Sequence, residues 1–119
     1  MKKGRKKSST VAVEVGFALA RASDHKTAER WDEALREVEN GRESLFGDDG
    51  PRLDALGAKA LVEALKDRER IGAFVALLGE QAEIAKRRGQ DADARVKFEH
   101  ALAVQRENLL AHPEATERI

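Results

Sequence analysis

Apolar residues recur at steps of three and four positions along most of this chain, which is the spacing of one buried helix face. The pattern predicts a first helix over residues 10–22 and a second over 25–46. Ser23 and Asp24 are residues that commonly cap a helix start, so we place the beginning of the second helix directly after them.

Three more helices follow a clear break in the pattern. Residues 47–51 read GDDGP, which combines turn formers with a proline suited to a first helical turn. Helices are predicted over 51–67, 69–88 and 92–111, and Gly89 is expected to adopt the left-handed conformation that ends the fourth helix. No segment alternates with a period of two. The sequence therefore predicts an all-α protein of about five helices with short connections.

The amino-acid composition limits both the kind of core and the kinds of functional site that this chain can form. Of the 119 residues, 41% are apolar, with four Phe, one Trp and no Tyr, so the predicted core is built mainly from small and aliphatic side chains that suit closely packed helices. The absence of cysteine excludes disulfides, thiolate nucleophiles and cysteine metal sites. None of the three histidines is placed four residues from another, and no common catalytic or phosphate-binding motif is present. We therefore predict no enzyme activity, no metal and no cofactor.

Charge divides the chain into two parts. The formal net charge is zero, but five positive residues lie within the first seven. These are Lys2, Lys3, Arg5, Lys6 and Lys7. Residues 1–8 are predicted to be a basic disordered arm, and residues 9–119 a single helical domain.

Localisation is expected to be cytoplasmic. The basic start followed by apolar residues is similar to a signal peptide, but Glu14 interrupts the apolar run and Arg21 falls inside the only small-residue cleavage motif. No apolar run approaches the ~18 residues that a membrane-spanning helix needs, so no membrane association is predicted.

A weak internal repeat is visible at an offset of 67 residues. WDEAL, at 31–35, aligns with FEHAL, at 98–102, and the same offset matches Ala22 with Gly89. Because Trp31 and Phe98 then occupy equivalent positions at helical spacing, both are expected to be core residues.

The second copy of this repeat resembles the tetratricopeptide repeat. The resemblance rests on Leu78, Ala82, Ala85, Gly89, Ala94, Phe98 and Ala101. The tail ALAVQRENLLAHPEAT is similar to the variant with long helices found in kinesin light chains and many bacterial regulatory proteins. The resemblance implies antiparallel helix pairs that form a short right-handed superhelix, and a scaffold or adaptor that binds a peptide or helix in a groove along the first helix of each pair.

The resemblance also implies which residues line the groove. In the last pair these are Ala76, Gly79, Glu83, Lys86 and Arg87, and in the first pair Ser9, Ala12, Gly16 and Leu19. A protein partner with an apolar segment and an acidic or mixed end would complement them. The C-terminal end could be a capping turn, a homodimer contact or the edge of a fragment.

An alternative function uses the basic arm. Clustered lysine and arginine residues bind phosphate backbones, so Lys2, Lys3, Arg5, Lys6 and Lys7 could bring a small helical regulatory protein into contact with nucleic acid. The arm contains no aromatic residue that could stack on bases. Protein binding remains the leading hypothesis and nucleic-acid contact the alternative.

Overall fold

The computed structural model describes residues 7–47 and 50–113, and within those ranges the chain is all-helical, as predicted. Five helices have at least eight residues, and a sixth has five. The helices are α1 (Ser8–Thr27), α2 (Trp31–Phe46), α3 (Gly50–Asp54), α4 (Ala58–Leu65), α5 (Arg68–Arg87) and α6 (Asp91–Ala111).

The helices α1 and α2 form an antiparallel pair joined by a tight turn at residues 28–30. The backbone N–H of Ala28 donates to Asp24 O at 3.2 Å, and Glu29 adopts a positive φ of 60°. The predicted start of α2 after Asp24 is wrong, since α1 continues through that residue to Thr27. The longer α1 brings Lys26 within ion-pair distance of α5, a tertiary contact that local capping preferences cannot reveal.

The helices α5 and α6 form a second antiparallel pair with a matching turn. Gly89 has a φ of 77°, so its predicted left-handed conformation is confirmed. At the other end of α5, the Asp67 carboxylate caps the helix by accepting a hydrogen bond from the Glu69 N–H at 2.8 Å.

The two pairs are related by an offset of 60 residues. Both α1 and α5 have 20 residues and begin 60 positions apart, and α2 and α6 also begin 60 positions apart. In the turns, Arg30 N–H donates to His25 O and Gln90 N–H donates to Ala85 O, each at 2.8 Å. The predicted offset of 67 residues is therefore wrong: Ala22 lies inside α1, whereas Gly89 lies in the turn after α5.

The region between the two pairs contains two short helices instead of the single helix predicted over 51–67. Residues 55–57 separate α3 from α4, and Leu56 N–H donates to Leu53 O at 3.1 Å within this break. Gly57 is extended, with φ −71° and ψ 170°, and precedes the first residue of α4. This segment does not separate the pairs, because α4 packs mainly against α6 while α5 packs directly against α1 and α2.

The stack is built around α5, which contacts α1, α2 and α6. Three contacts show that α2 and α5 are antiparallel, because successive contacts are seven residues apart on both helices, in opposite directions. They join Asp32 Oδ1 to Arg88 Nη1 at 3.8 Å, Glu39 Oε1 to Gln81 Nε2 at 3.4 Å, and the Phe46 and Phe74 rings, whose centroids are 5.6 Å apart. The largest fully buried side chains of the core are Leu61, Ile71, Leu77, Ile84, Val11, Val15, Val38 and Val104.

Candidate functional site

The open sides of α1 and α5 adjoin to form one surface. Most of α5 packs against α1, α2 and α6, and the side that remains accessible carries mostly small and charged residues. We define the α1–α5 surface by Ser9, Ala12, Gly16 and Ser23 of α1 and Gly72, Ala76, Gly79, Glu83, Lys86 and Arg87 of α5, all exposed or half-buried. A Cβ atom added to Gly16, Gly72 or Gly79 would meet nothing within 4 Å, so the surface is open along both helices.

An ion-pair cluster joins α1 to α5 on this surface. Lys26 Nζ lies 2.7 Å from Glu80 Oε1 and 3.1 Å from Glu83 Oε2. Glu83 is shared, since its Oε1 also lies 3.4 Å from Arg87 Nη2. Glu83 is therefore bound to two cations of the chain itself, and Lys86 and Arg87 leave the adjoining end of the surface basic.

The cluster shifts the pKa of two of its members. The pKa of Glu83 is lowered, mainly by its hydrogen bond from Lys26, and partial burial opposes this shift without cancelling it. For Lys26, burial is the largest influence and disfavours the charged form, but the two carboxylates together outweigh it, so the pKa of Lys26 is raised. The ammonium and the carboxylate thus each favour the ionised form of the other.

The residues predicted to line the groove are distributed along the α1–α5 surface. Gly79, Glu83, Lys86 and Arg87 lie in sequence on the accessible side of α5, and Gly16 lies on that of α1. Ser9 and Ala76 are exposed and Ala12 is half-buried. Leu19 is also half-buried, but it packs against the core, so only part of its side chain is available to a partner.

Two apolar faces were not found by sequence reasoning. On α1, Val13 and Phe17 are exposed, and Phe17 borders a groove of about 270 Å³ between α1 and α2. The groove is lined by Glu14, Phe17, Ala18, Arg21, Asn40 and Ser44. The four-residue spacing of Val13 and Phe17, opposite the buried side of the helix, was the available signal.

The second apolar face is on α6, defined here by Phe98, Leu102 and Leu109. Phe98 is 39% exposed and Leu102 71% exposed, while Leu109 is half-buried. The expectation that Phe98 is a core residue is therefore wrong. It belongs to the side of α6 that no other described helix covers, whereas Trp31 is half-buried against the core.

Other candidate chemistry is limited in the part of the chain that the structure describes. Within residues 7–47 and 50–113, no group of three or more potential metal-ligating side chains converges. Of the basic arm, Lys2, Lys3, Arg5 and Lys6 lie outside the described residues, and Lys7 is exposed immediately before α1.

None of the described helices is both long and apolar enough to cross a membrane.

Comparison with known proteins gives no relative. The chain matches no known family model, no curated protein and no solved structure.

Proposed function

We propose that this protein is a non-enzymatic protein-interaction module that binds a peptide or helix along the α1–α5 surface. The observation that carries this proposal is the accessible side of α5, where Gly72, Ala76 and Gly79 leave room for a partner's backbone to approach. Lys86 and Arg87 then supply positive charge at the adjoining end.

The chemistry of the partner follows from these two parts of the surface. Small residues favour an apolar segment that packs closely, because no side chain of the surface holds it at a distance. Lys26, Lys86 and Arg87 outnumber the two carboxylates of Glu80 and Glu83, so this end of the surface carries a net positive charge. The preferred ligand is an apolar segment followed by acidic residues.

The spacing of small residues supports a tetratricopeptide-like organisation of the two pairs. At the observed offset of 60 residues, Ala82, Ala94 and Ala101 correspond to Ala22, Ala34 and Gly41, all of which are buried. Small residues at these positions allow the two helices of each pair to approach closely. Both pairs thus carry buried small residues at equivalent positions, which supports the resemblance that the sequence indicated.

A site-specific photocrosslinking experiment tests the proposed surface. A photoreactive residue at Ala76, exposed on α5, is expected to capture a specific partner from native cell extract, whereas the same residue at Ala103, exposed on α6, is not. Gly79→Leu should block capture by filling the surface, and the pair Lys86→Glu and Arg87→Glu should weaken it. The matched control pair, Arg36→Glu and Lys59→Glu, makes the same charge change on exposed residues of other helices and should leave capture intact.

Each result bears on the proposal. Capture from Ala76 that is lost in Gly79→Leu and retained in the control pair supports binding on this surface. Equal capture from Ala76 and Ala103, or capture that Gly79→Leu leaves unchanged, would overturn it.

A further inference from the structure

The 60-residue repeat relates a buried face of α5 to an exposed face of α1. Ala73 and Leu77 are buried on α5. Their counterparts on α1, Val13 and Phe17, are 56% and 61% exposed. The first helix pair thus carries apolar residues on the side that, in the second pair, is covered by the rest of the protein.

The groove between α1 and α2 has a counterpart that is already occupied. Three of its lining residues correspond to α5 residues that meet α2. The correspondences are Glu14 with Phe74, which contacts Phe46; Phe17 with Leu77, which approaches Gly41; and Arg21 with Gln81, which donates to Glu39. In the second pair, α2 therefore covers the place that remains an open groove in the first pair.

The repeat also identifies a helix that could occupy the open groove. The counterpart of α2 is α6, and Phe98 and Leu102 of α6 correspond to Val38 and Arg42 of α2. Val38 is fully buried in the stack, whereas Phe98 and Leu102 are exposed. The uncovered face of α6 is thus the counterpart of the side of α2 that packs on α5. The uncovered face of α1 is the counterpart of the side of α5 that packs on α2.

The charges on the two faces are complementary in the register of that interface. The hydrogen bond between Glu39 and Gln81 maps onto Glu99 and Arg21. The contact between the rings of Phe46 and Phe74 maps onto Arg106 and Glu14. Both pairs of counterparts carry opposite charges, and Glu99, Arg21 and Arg106 are all exposed. Arg21 also pairs with Glu37 of its own chain at 3.0 Å, so Glu99 would join an existing ion pair.

We propose that the protein self-associates head to tail, with the α6 face of one copy seated in the α1–α2 groove of the next in the register that α2 adopts on α5. Phe98 and Leu102 cover Phe17, Glu99 pairs with Arg21, and Arg106 pairs with Glu14. The two contacting faces are different, so a row of copies always has an uncovered groove at one end and an uncovered α6 face at the other. The assembly is therefore an open chain of copies or a closed ring. These faces lie apart from the α1–α5 surface, so the inference does not depend on the proposed function.

Complementary variants of the full chain test the two faces separately. Phe17→Asp alters only the groove and Leu102→Asp alters only the α6 face. Both side chains are largely exposed, so circular dichroism should show an unchanged fold. By sedimentation velocity, the wild-type protein is expected to associate as its concentration rises, and each variant alone is expected to remain monomeric. An equimolar mixture of the two variants should form a one-to-one dimer, because one partner retains an intact α6 face and the other an intact groove.

Two further variants serve as controls. Leu110→Asp alters an exposed leucine on another side of α6 and should leave association unchanged. Glu99→Arg places like charges opposite Arg21 and should weaken association by about tenfold. A wild-type protein that remains monomeric up to its solubility limit would overturn the proposal. So would a mixture of Phe17→Asp and Leu102→Asp that stays monomeric, or association that only Leu110→Asp abolishes.

Discussion

A Cβ atom placed on Gly41 of α2 would lie 2.8 Å from Leu77 Cδ2 of α5, and only 3.3 Å from Ala18 Cβ of α1. Three helices thus meet at a residue that has no side chain. Leu77 is fully buried and Ala18 is fixed on its own helix, so neither neighbour can withdraw without disturbing the core.

Alanine at Gly41 is therefore expected to destabilise the protein despite its better helix propensity. Gly41→Ala should lower the free energy of unfolding by about 1–2 kcal/mol, because overpacking outweighs the gain in propensity. Gly72→Ala is the matched control, since it is also inside a helix but a Cβ there meets nothing within 4 Å. That substitution should raise the free energy of unfolding by about 0.5–1 kcal/mol. Urea denaturation followed by circular dichroism measures both values, and equal signs would contradict the packing described for Gly41.

Replacing Lys26 should change how stability depends on pH. Because the folded-state pKa of Glu83 lies below its ordinary value of 4.5, its pairing stabilises the protein above pH 4.5 and is lost as the pH falls through the lowered pKa. The pKa of Lys26 is raised above its ordinary value of 10.5, so its contribution is complete below pH 10.5 and is lost at higher pH.

Lys26→Met should accordingly cost about 1 kcal/mol at neutral pH, a modest figure because water still reaches the Glu83 side chain, which is 41% exposed. The difference from wild type should narrow both below pH 4.5 and above pH 10.5. The control is Lys97→Met, which removes a more exposed pair with Asp93 within α6 and should cost about 0.3–0.5 kcal/mol. Thermal unfolding across the pH range checks this, and a constant difference between wild type and Lys26→Met would count against the pairing.

Phe74 lies at the centre of an aromatic cluster that joins three helices, so substitutions at this residue should reduce stability. Its ring lies 5.6 Å from that of Phe46 and 5.9 Å from that of His100, in an edge-to-face arrangement with the latter. The Arg42 guanidinium lies 5.9 Å from the same ring. Phe74→Leu keeps an apolar side chain but loses the ring contacts, so it should lower the free energy of unfolding by about 1–2 kcal/mol. Phe98→Leu, on the uncovered face of α6, should change it by less than about 0.5 kcal/mol in dilute monomeric protein.

Asn108 allows the energetic cost of a buried, unsatisfied polar group in α6 to be measured. The residue is buried and its Oδ1 atom has no hydrogen-bond partner. Asn108→Leu removes this unsatisfied acceptor while keeping the branched shape and the number of side-chain heavy atoms, and it should raise the free energy of unfolding by about 1 kcal/mol. Asn108→Asp would place a carboxylate in the same environment and should lower the free energy of unfolding. A stabilising Asn108→Asp substitution would show that the side chain has a polar environment.

The fold class, the two long helices of the second pair and the turn at Gly89 could be predicted from the sequence because their signals are local. The repeat was displaced by seven residues for a physical reason. Seven residues make nearly two helical turns, so shifting the alignment by that amount preserves which side of each helix is apolar. Only the turns distinguish the offsets of 60 and 67 residues, and the first turn has Glu29 in a positive-φ conformation that is typical of glycine.

The candidate surfaces were harder to predict from the sequence than the helices. Glu83, Lys86 and Arg87 could be placed on one side of α5, but the ion pair from Lys26 depends on how α1 packs, which no local pattern specifies. Phe98 has the spacing of a core residue and remains exposed because no described helix covers that side of α6. Helical periodicity identifies an apolar face and leaves open what packs against it.

The docking of α4 on α6 has a consequence for synthesis on the ribosome. The apolar side of α4, with Leu61 and Leu65, emerges well before the helix that covers it, because all of α5 is synthesised in between. The pair of α1 and α2 can close over its three-residue turn as soon as it is made, whereas α4 must wait for α6 with its leucines uncovered. A nascent chain from which α4 has emerged but α6 has not would therefore expose these leucines to aggregation and to chaperones.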